Sequence, residues 1–482
     1  MDNLTCANLI TMGRHIPTPF TITVSKDQGE EELRIDSILR VVPGKRLIGV
    51  SSWNDSTVIV KLFFQRNHWK RNLQNDLGGV NLLRQHHIPT PDILHQTTTA
   101  DLGGAVLIID YLQQGASLSA LFEEATDREQ REFIMQQAIK LIGQCHCGGI
   151  SQKDIHLDNF MLADERVYLL DGGDIKAVEG SLDLETATSN LALFFAQFPV
   201  AKDVQISRWL EYYQEHGLKL PSGEIDRFGE RVQLARRNRL RHFEKKLFRS
   251  TTATRCIRQS NKFLLYDRAI HSAELENFIA NPDSYLASDG LLKAGNTSTV
   301  GEVRLGDREF VLKRYNIKGF WHGITRLMQP SRAHHTWRNS WMLEMLGIAT
   351  PHPFLMLEER VLWLFRRRAY FLMEKVPAAN LIDQLESGDA TPGEVVESFK
   401  KLFQVLHAYL ISHGDMKATN FIFSDQKLYV LDLDAMRRHK SQSRFDIAST
   451  RDLARFQQNW KGSEFETVFT KMSESAVSSP TG

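Results

Sequence analysis

The sequence predicts an α+β protein that consists of two similar domains in tandem. Two observations support this prediction. Landmark residues recur with a period of about 260 positions, and each copy of the repeat passes from a strand-rich part to a helix-rich part. The chain has 482 residues, which at roughly 100–200 residues per domain is enough for two to four domains with buried cores.

The repeat is clearest in two acidic loops, each followed by a short apolar strand. Each loop carries an Asp, an Asn five residues later, and a second Asp after a further twelve residues. These residues are Asp154, Asn159 and Asp171 in the first copy and Asp415, Asn420 and Asp432 in the second. Upstream, Thr-Pro pairs ending at Pro91 and Pro351 precede the first Asp by 63 and 64 residues. Still earlier, Lys61 and Lys313 each end a short apolar run. Four landmarks in the same order indicate a tandem duplication.

Local patterns predict the elements that hold these landmarks. β-Branched and aromatic runs between polar turns predict strands, namely Ser56–Phe64, Val106–Tyr111, Glu309–Tyr315 and Tyr370–Met373. Apolar residues at helical spacing predict helices, namely Asp76–His86, Glu129–Cys145, Arg332–Leu346 and Pro392–Leu410. The predicted domain limits are 30–268 and 269–465, followed by a flexible tail over 466–482.

Composition excludes several classes of protein. The chain has 59 Lys+Arg against 58 Asp+Glu, and 42% hydrophobic residues, as is typical of globular proteins. No apolar run reaches the roughly 18–20 residues of a membrane-spanning helix, and the start does not read as a secretory signal. Four cysteines are too few for a disulfide scaffold and favour a reducing compartment. Net charge near zero and the absence of a basic–aromatic module argue against a nucleic-acid partner. We therefore expect a cytoplasmic, multidomain protein.

The recurring residue types suit the transfer of a phosphoryl group from ATP. That reaction needs a cation on the phosphates, oxygen ligands for Mg²⁺, and a carboxylate near the acceptor hydroxyl. A lysine on a rigid strand meets the first need. An Asp and an Asn at the two ends of one tight loop can face the acceptor and the metal, and the later Asp adds a second oxygen ligand. Lys, Asp, Asn and Asp in this order form the protein-kinase signature set.

The chain resembles the protein-kinase-like superfamily, and specifically the lipopolysaccharide kinase family that phosphorylates Kdo or heptose in the inner core. The second loop reads His413-Gly-Asp-Met-Lys-Ala-Thr-Asn-Phe, and the later Asp stands in Leu431-Asp-Leu-Asp rather than in Asp-Phe-Gly. The Thr-Pro pairs also look like this family. The resemblance implies two tandem bilobal kinase-like domains, each with a strand-rich N-lobe and a helical C-lobe, that use ATP and Mg²⁺.

Carried over residue by residue, the resemblance implies three groups of functional residues. The catalytic group is Asp415, Asp154 and Lys417. The nucleotide-binding group is Lys61, Lys313, Gly295 and Gly301, the glycines bounding a phosphate-covering turn. The magnesium-binding group is Asn159, Asp171, Asn420 and Asp432.

Each copy departs from the family pattern. The first copy has no comparable glycine pair before its strand, and it carries Gln152 in place of the loop histidine and His156 in place of Lys417. Active kinases pair the strand lysine with a helix acid. Asp76 is the candidate in the first copy and Glu344 in the second, where the spacing is late for the family.

The predicted function is phosphorylation of a heptose or Kdo sugar of the lipopolysaccharide inner core. At least one domain is expected to be active, the second foremost, and the first to bind ATP. The predicted partner is the core or a related glycolipid, either from the cytoplasm or in peripheral contact with the inner membrane, with no nucleic acid. Two alternatives stay open: a protein or small-molecule kinase on the same fold, or a scaffold with one pseudokinase domain.

One further feature is the basic segment Arg227–Arg268, with 13 Lys and Arg against three acidic residues. It reads either as the solvated face of helices that close the first domain or as a surface for a phosphorylated or anionic partner.

Overall fold

The structure of the protein is a computed structural model that describes residues 2–26, 29–286, 291–295, 297–316, 330–361 and 365–478. The chain forms two compact units: unit 1 comprises residues 1–197 and 204–235, and unit 2 comprises residues 198–203 and 236–482. Both units combine antiparallel sheets with helices, which confirms the predicted α+β fold class.

Unit 1 begins with strands and continues with helices. Its strands are β1 (Phe20–Lys26), β2 (Gly29–Ile35), β3 (Ser37–Val42), β4 (Arg46–Trp53), β5 (Ser56–Phe63), β6 (Ile93–Thr98), β7 (Ala105–Asp110), β8 (Ala116–Ser117), β9 (Ile150–Gln152), β10 (Phe160–Ala163), β11 (Arg166–Leu169) and β12 (Ile175–Ala177). Its helices are α1 (Cys6–Met12), α2 (Trp69–Gln85), α3 (Leu118–Glu124), α4 (Arg128–Cys147), α5 (Leu184–Phe195), α6 (Ile206–His216) and α7 (Ser222–Glu244), which continues into unit 2.

Strand β5 lies at the centre of an antiparallel sheet with the order β3-β4-β5-β7-β6. Successive side chains of a strand point to opposite faces. Val60 and Leu62 enter the core on one face, while Phe63 packs on the other face with Leu73 of α2. Each such buried side chain stabilises the fold by about 1.5–3 kcal/mol. Lys61 therefore lies on the face of the sheet that helix α2 covers.

Unit 2 repeats this order of elements. Its strands are β13 (Thr254–Arg258), β14 (Lys262–Asp267), β15 (Leu291–Ala294), β16 (Ser298–Leu305), β17 (Arg308–Tyr315), β18 (Pro353–Val361), β19 (Phe365–Glu374), β20 (Ile411–Ser412), β21 (Phe421–Ser424), β22 (Lys427–Val430) and β23 (Arg437–Arg438). Its helices are α8 (Ala273–Ala280), α9 (Arg332–Met345), α10 (Leu381–Ser387), α11 (Pro392–Tyr409), α12 (Gln442–Gln458) and α13 (Glu466–Ser478).

The main sheet of unit 2 has the order β13-β14-β18-β19-β17-β16-β15. On β17, Phe310 and Leu312 join the core on one face, and Tyr315 packs on the other face with Trp337 of α9. Lys313 alternates with Leu312 and therefore lies on the α9 face. A second core, rich in aromatic side chains such as Phe399 of α11, holds the helices together.

Local sequence signals fix the ends of the helices beside the site. The side chain of Ser331 accepts a hydrogen bond from the backbone N–H of His334 and so caps the start of α9. Thr391 caps α11 in the same way, with Pro392 at the first helical position, where its missing N–H costs nothing.

All eight predicted strands and helices are confirmed. Their ends agree within a few residues, except that α2 begins at Trp69 rather than Asp76 and β19 begins at Phe365 rather than Tyr370. Among the described residues, no helix combines the length and the apolarity that crossing a membrane requires.

The structure differs from the predicted domain limits in three places. The segment before residue 30 belongs to unit 1, because β1 pairs with β2 and buries Phe20. Strands β13 and β14, placed by prediction in the first domain, pair within the main sheet of unit 2. The predicted flexible tail begins with helix α13, whose Phe469 and Met472 are buried. Local sequence does not reveal which distant strand or core a segment will join.

Candidate active sites

Lys313 and Asp432 form the centre of the site in unit 2. The Lys313 side chain is largely buried, and its Nζ lies 2.6 Å from Oδ1 of Asp432 and 5.1 Å from the centre of the Tyr315 ring. Burial alone would lower the pKa of Lys313, but Tyr315 and Asp432 outweigh burial and raise it. Burial alone would raise the pKa of Asp432, but the charge of Lys313 lowers it. Both groups are therefore charged at neutral pH.

Two hydrogen bonds bring Asn420 beside this pair. The Nδ2 of Asn420 donates to the backbone carbonyl of Asp415 over 2.9 Å, and the backbone carbonyl of Asn420 accepts from the N–H of Leu431, again over 2.9 Å. Leu431 directly precedes Asp432, so residues twelve apart in sequence become neighbours.

The donor set of Asn420 and Asp432 fits Mg²⁺. Because Nδ2 of Asn420 is engaged, its Oδ1 is left as an acceptor with no hydrogen-bond donor among the described residues. Amide and carboxylate oxygens are ligands that Mg²⁺ prefers, usually completed by substrate phosphates and water. The described residues contain no group of three or more His, Cys, Asp and Glu side chains that could hold a metal by themselves.

His413 and Asp452 hold the start of the acidic loop in unit 2. Asp452 of α12 accepts the backbone N–H of His413 at 2.6 Å and that of Gly414 at 2.9 Å. Burial lowers the pKa of His413, so the ring is neutral. In this form Nε2 donates to the Leu431 carbonyl at 3.0 Å, and Nδ1 accepts the Asp415 N–H at 3.3 Å. Nε2 thus ties the loop to the residue before Asp432, and Nδ1 holds the backbone of the loop itself.

The Asp415 carboxylate lies between two cations. Arg455 of α12 places Nε 2.7 Å from one oxygen, and Lys417 places Nζ 3.1 Å from the other. The side chain of Asp415 is 27% exposed. It is therefore held in one orientation and still reachable from solvent.

Unit 1 brings its own lysine and acids together. Nζ of Lys61 lies 3.1 Å from Oδ1 of Asp76, which confirms the predicted pair with the helix acid, and 3.9 Å from Oδ1 of Asp171. Arg46 of β4 also lies 3.9 Å from Asp171. Burial alone would raise the pKa of Asp171, but Lys61, the Gly173 N–H and Arg46 lower it.

The acidic loop of unit 1 repeats two hydrogen bonds of unit 2. Nδ2 of Asn159 donates to the Asp154 carbonyl over 2.7 Å, and its backbone carbonyl accepts from Leu170 over 2.9 Å. Asp154 differs from its counterpart, because its side chain is 73% exposed and Nε2 of His156 lies 3.5 Å from it, where unit 2 has Lys417 beside Asp415. The shared bonds support the tandem duplication, which stays a prediction.

Other contacts to the two loops come from similar places but use different bonds. Gln152, which stands where unit 2 has His413, donates from Nε2 to the carbonyl of Asp171 over 3.2 Å, whereas His413 donates to the carbonyl of Leu431. Asn190 of α5 donates to the Gln152 carbonyl over 2.7 Å, whereas Asp452 accepts two backbone N–H groups of its loop. In both units a polar side chain of a later helix therefore holds the start of the loop.

The phosphate-covering turn predicted between Gly295 and Gly301 is shorter in the structure than in the prediction. Gly295 lies between β15 and β16, where its N–H donates to the Ser298 carbonyl. Gly301 lies inside β16, paired with Leu312 of β17, and its role in nucleotide binding stays a prediction. Asn296, between them, lies outside the described residues. In unit 1 the corresponding turn, between β3 and β4, contains Gly44, with φ of 68°.

The prediction that Glu344 pairs with Lys313 is wrong. Glu344, in the last turn of α9, binds Nδ1 of His352 at 2.8 Å. Helix α9 instead contributes a cation: Nε of Arg332 donates to Asp434, two residues after Asp432, over 2.6 Å.

Sequence reasoning missed Asp452, Arg455, Asn339 and Asn190. Asn339 is 1% exposed, and its Nδ2 donates to the carbonyls of Leu433 at 2.7 Å and Met436 at 3.0 Å. These residues lie on helices remote in sequence from the loops they hold. A polar residue facing inward on an amphipathic helix is the signal that could have found them.

Comparison with known proteins gives one family match and many similar solved structures, two of which are described below. No curated protein matches the chain. In structure the chain is similar to WaaP in complex with acyl carrier protein, with 12% identity, 42% of this chain and 86% of that chain covered, and a TM-score of 0.33. It is also similar to a mutant form of the PknI kinase domain of Mycobacterium tuberculosis, with 13% identity, 33% and 70% covered, and a TM-score of 0.24.

The family match falls on unit 2. Residues 293–473, well under half of the chain, match the model described as the lipopolysaccharide kinase (Kdo/WaaP) family. The matched segment begins at β15 and ends in α13, so it contains Lys313, Asp415, Asn420 and Asp432. The family match identifies the protein as a kinase, and its similarity to the lipopolysaccharide kinase (Kdo/WaaP) family is shown over residues 293–473.

Proposed function

We propose that the protein uses ATP and Mg²⁺ to phosphorylate a hydroxyl of a heptose or Kdo sugar in the lipopolysaccharide inner core, and that unit 2 carries the chemistry. The family match supports a kinase of a core sugar. The observation that carries the proposal is the joint placement of Lys313, Asp432, Asn420 and Asp415 in one unit by hydrogen bonds and ion pairs.

The residues of unit 2 divide the work of phosphoryl transfer. ATP with Mg²⁺ supplies the phosphoryl group when bound, Lys313 would neutralise phosphate charge, and Asn420 and Asp432 would hold the metal. Asp415 would accept the hydrogen bond of the acceptor hydroxyl and then take its proton. Lys417 lies beside Asp415, where it can stabilise charge on the migrating group.

Unit 1 is proposed to bind a nucleotide with little or no turnover. It keeps the Lys61–Asp76 pair, which orders the lysine. The side chain of its Asp154, however, is 73% exposed, against 27% for Asp415. A carboxylate that is largely surrounded by water is less restricted in orientation, and orientation is worth several kcal/mol of the barrier.

The substrate would be met at the cytoplasmic face of the inner membrane, because a core sugar is attached to a lipid. Peripheral contact of basic surfaces with anionic headgroups contributes about 1 kcal/mol per cation near such a surface. The proposal therefore includes a glycolipid acceptor and excludes nucleic acid.

The test is transfer of labelled phosphate from ATP to core oligosaccharides that end in heptose or in Kdo, by the full chain. Asp415→Asn is expected to lose about 100-fold or more in kcat, while Asp154→Asn and the control Asp425→Asn, an exposed Asp in a turn, keep most of the activity. Loss in Asp154→Asn alone would move the chemistry to unit 1. Absence of sugar-stimulated turnover would refute the sugar kinase, and transfer to protein or to a small alcohol would favour the open alternatives.

A further inference from the structure

Unit 2 contains a cavity of about 760 Å³ beside α9. Its walls come from the end of α7 and the turn that follows, from α9, and from the segment after Asp434. The side chains used below to define this basic cavity are Arg241, Lys245, Arg338, Arg437 and Arg438. The cavity lies within the size range of small-molecule sites, roughly 300–1,000 Å³.

The cavity is distinct from the nucleotide site. Ala333 and Trp337 of α9 pack into the core beneath the sheet, on the side that holds Tyr315. His335 and Arg338 line the cavity instead, on a different face of the same helix.

The basic cavity has more positive charge than its own acids can offset. Two carboxylates line it, and both are engaged: Glu244 lies 2.6 Å from Arg438, and Asp434 accepts Nε of Arg332 over 2.6 Å. Among the described residues, no carboxylate forms an ion pair with Arg338 or Arg437. Arg241 and Lys245 likewise form no ion pair with a carboxylate of the described residues.

These cations repel one another at short range. Burial lowers the pKa of the Arg338 guanidinium, Glu244 acts against this, and the charges of Arg438 and Arg437 lower it further. Bringing like charges together in a half-buried space costs free energy unless an anion is present. Arginine guanidinium groups bind phosphate oxygens in pairs of parallel hydrogen bonds.

The cavity also touches the loop that follows the metal aspartate. Asn339, which lines the cavity, clamps the carbonyls of Leu433 and Met436. Met436 and the neighbouring Arg437 line it as well. An anion bound here would therefore hold α9 and this loop together beside Asp432.

We propose that the basic cavity is a binding site for a phosphate-bearing ligand, separate from the ATP site and coupled to the metal loop through Asn339. The ligand class is an organic phosphate or pyrophosphate with two or more negative charges, either soluble or the headgroup of a lipid. This assigns the middle of the basic segment Arg227–Arg268, including Arg241 and Lys245, to ligand binding rather than to a solvated face. The proposal does not depend on the acceptor sugar.

The test is calorimetric titration of the full chain with inorganic pyrophosphate, at low salt and without nucleotide, and the binding that the cavity variant loses is assigned to the basic cavity. Wild type is expected to bind, and Arg338→Gln/Arg437→Gln to bind at least about tenfold more weakly, a change of about 1.4 kcal/mol. The matched control is Arg304→Gln/Lys401→Gln, which removes two exposed charges elsewhere in unit 2 and is expected to bind within about twofold of wild type.

Absence of binding to wild type, or equal affinity of the two double variants, would overturn the proposal. Circular dichroism checks folding, and the single variant Arg437→Gln, at an exposed position, replaces the double variant if that one does not fold. Flotation with phosphatidylcholine vesicles, with and without phosphatidic acid, tells whether the ligand is a lipid headgroup or a soluble phosphate. Recruitment by phosphatidic acid that is lost in the cavity variant assigns a headgroup, and pyrophosphate binding without recruitment assigns a soluble phosphate.

Discussion

Two adjacent glycines of α2 offer a sharp test of how unit 1 is packed. At Gly79, an added Cβ would lie 1.8 Å from the carbonyl oxygen of Gly172, the residue after Asp171. At Gly78, the same Cβ would meet nothing within 4 Å. The reciprocal contact is also tight, since a Cβ on Gly172 would lie 2.4 Å from the Asp76 carbonyl. Helix and loop approach this closely only because both residues lack side chains.

The expected effects of Gly79→Ala and Gly78→Ala have opposite sign. For the former, the helix and the loop must separate by about 1.2 Å to reach the shortest tolerated contact, 3.0 Å. Overpacking of this kind costs about 1–3 kcal/mol, and a clash with backbone lies at the upper end. For the latter, replacing a helical glycine by alanine stabilises by roughly 0.5–1 kcal/mol. At about 2–4 °C per kcal/mol, Gly79→Ala lowers Tm by about 6–12 °C.

Scanning calorimetry of the full chain measures the two Tm values, and the Gly78→Ala variant serves as the internal control. We expect the transition that Gly79→Ala lowers to be that of unit 1, while Gly78→Ala leaves it unchanged or slightly raised. Equal Tm values for the two variants would refute the packing of α2 on the loop after Asp171. Equal values would also argue against our explanation for the position of Asp76 beside Lys61, which is the close packing of α2 on this loop.

Two further predictions concern other parts of the chain. Asn339→Leu leaves two buried carbonyls without a donor and is expected to lower the free energy of unfolding by about 3 kcal/mol. The control Asn277→Leu, at an exposed site on α8, is expected to change it by less than about 0.5 kcal/mol. Urea unfolding compares the two variants, and similar effects would contradict the two hydrogen bonds of Asn339 to the loop. Burial lowers the pKa of His146 to about 4, although its bond to Asn190 acts the other way. An unfolded histidine titrates near about 6.5, so the stability from neutral His146 is complete above that pH and is lost by about 1.4 kcal/mol per pH unit as the pH falls towards about 4. His146→Gln is expected to remove this dependence on pH. Urea unfolding at pH 7 and at pH 5 measures the change in the free energy of unfolding for wild type and for the variant, and an equal change in the two proteins would contradict the prediction.

The contrast between the two units has a simple physical basis. Both keep an Asn whose side chain donates to the carbonyl of the loop Asp and whose own carbonyl accepts a backbone N–H, so both preserve the framework of a metal site. They differ at the loop carboxylate: Asp415 of unit 2 binds Arg455 and Lys417 and is 27% exposed, whereas Asp154 of unit 1 is 73% exposed. The framework needs only the shared type of one side chain and the main chain, whereas orientation of a carboxylate needs specific cations.

The spacing of residues along the chain determined much of the candidate site. Lysines on strands and Asp-x4-Asn loops have a local signature, because strand propensity and tight-turn geometry depend on neighbouring residues. The Lys61–Asp76 pair could be predicted, since a strand and the helix after it are close in sequence and in space. The family resemblance of the second loop was visible in the residues themselves.

Only the tertiary structure decided which distant residues complete each site. Glu344 faces His352 rather than Lys313, and the contacts of Asp452, Arg455 and Asn339 bridge segments far apart in the sequence. The same holds for the domain limit, because β13 and β14 gain hydrogen-bonding partners only in the sheet of unit 2. The sequence by itself determined the elements and the chemistry they carry. The packing of helices on the sheets and loops determined which charges meet, because side-chain pairing depends on three-dimensional distance and burial rather than on position in the chain.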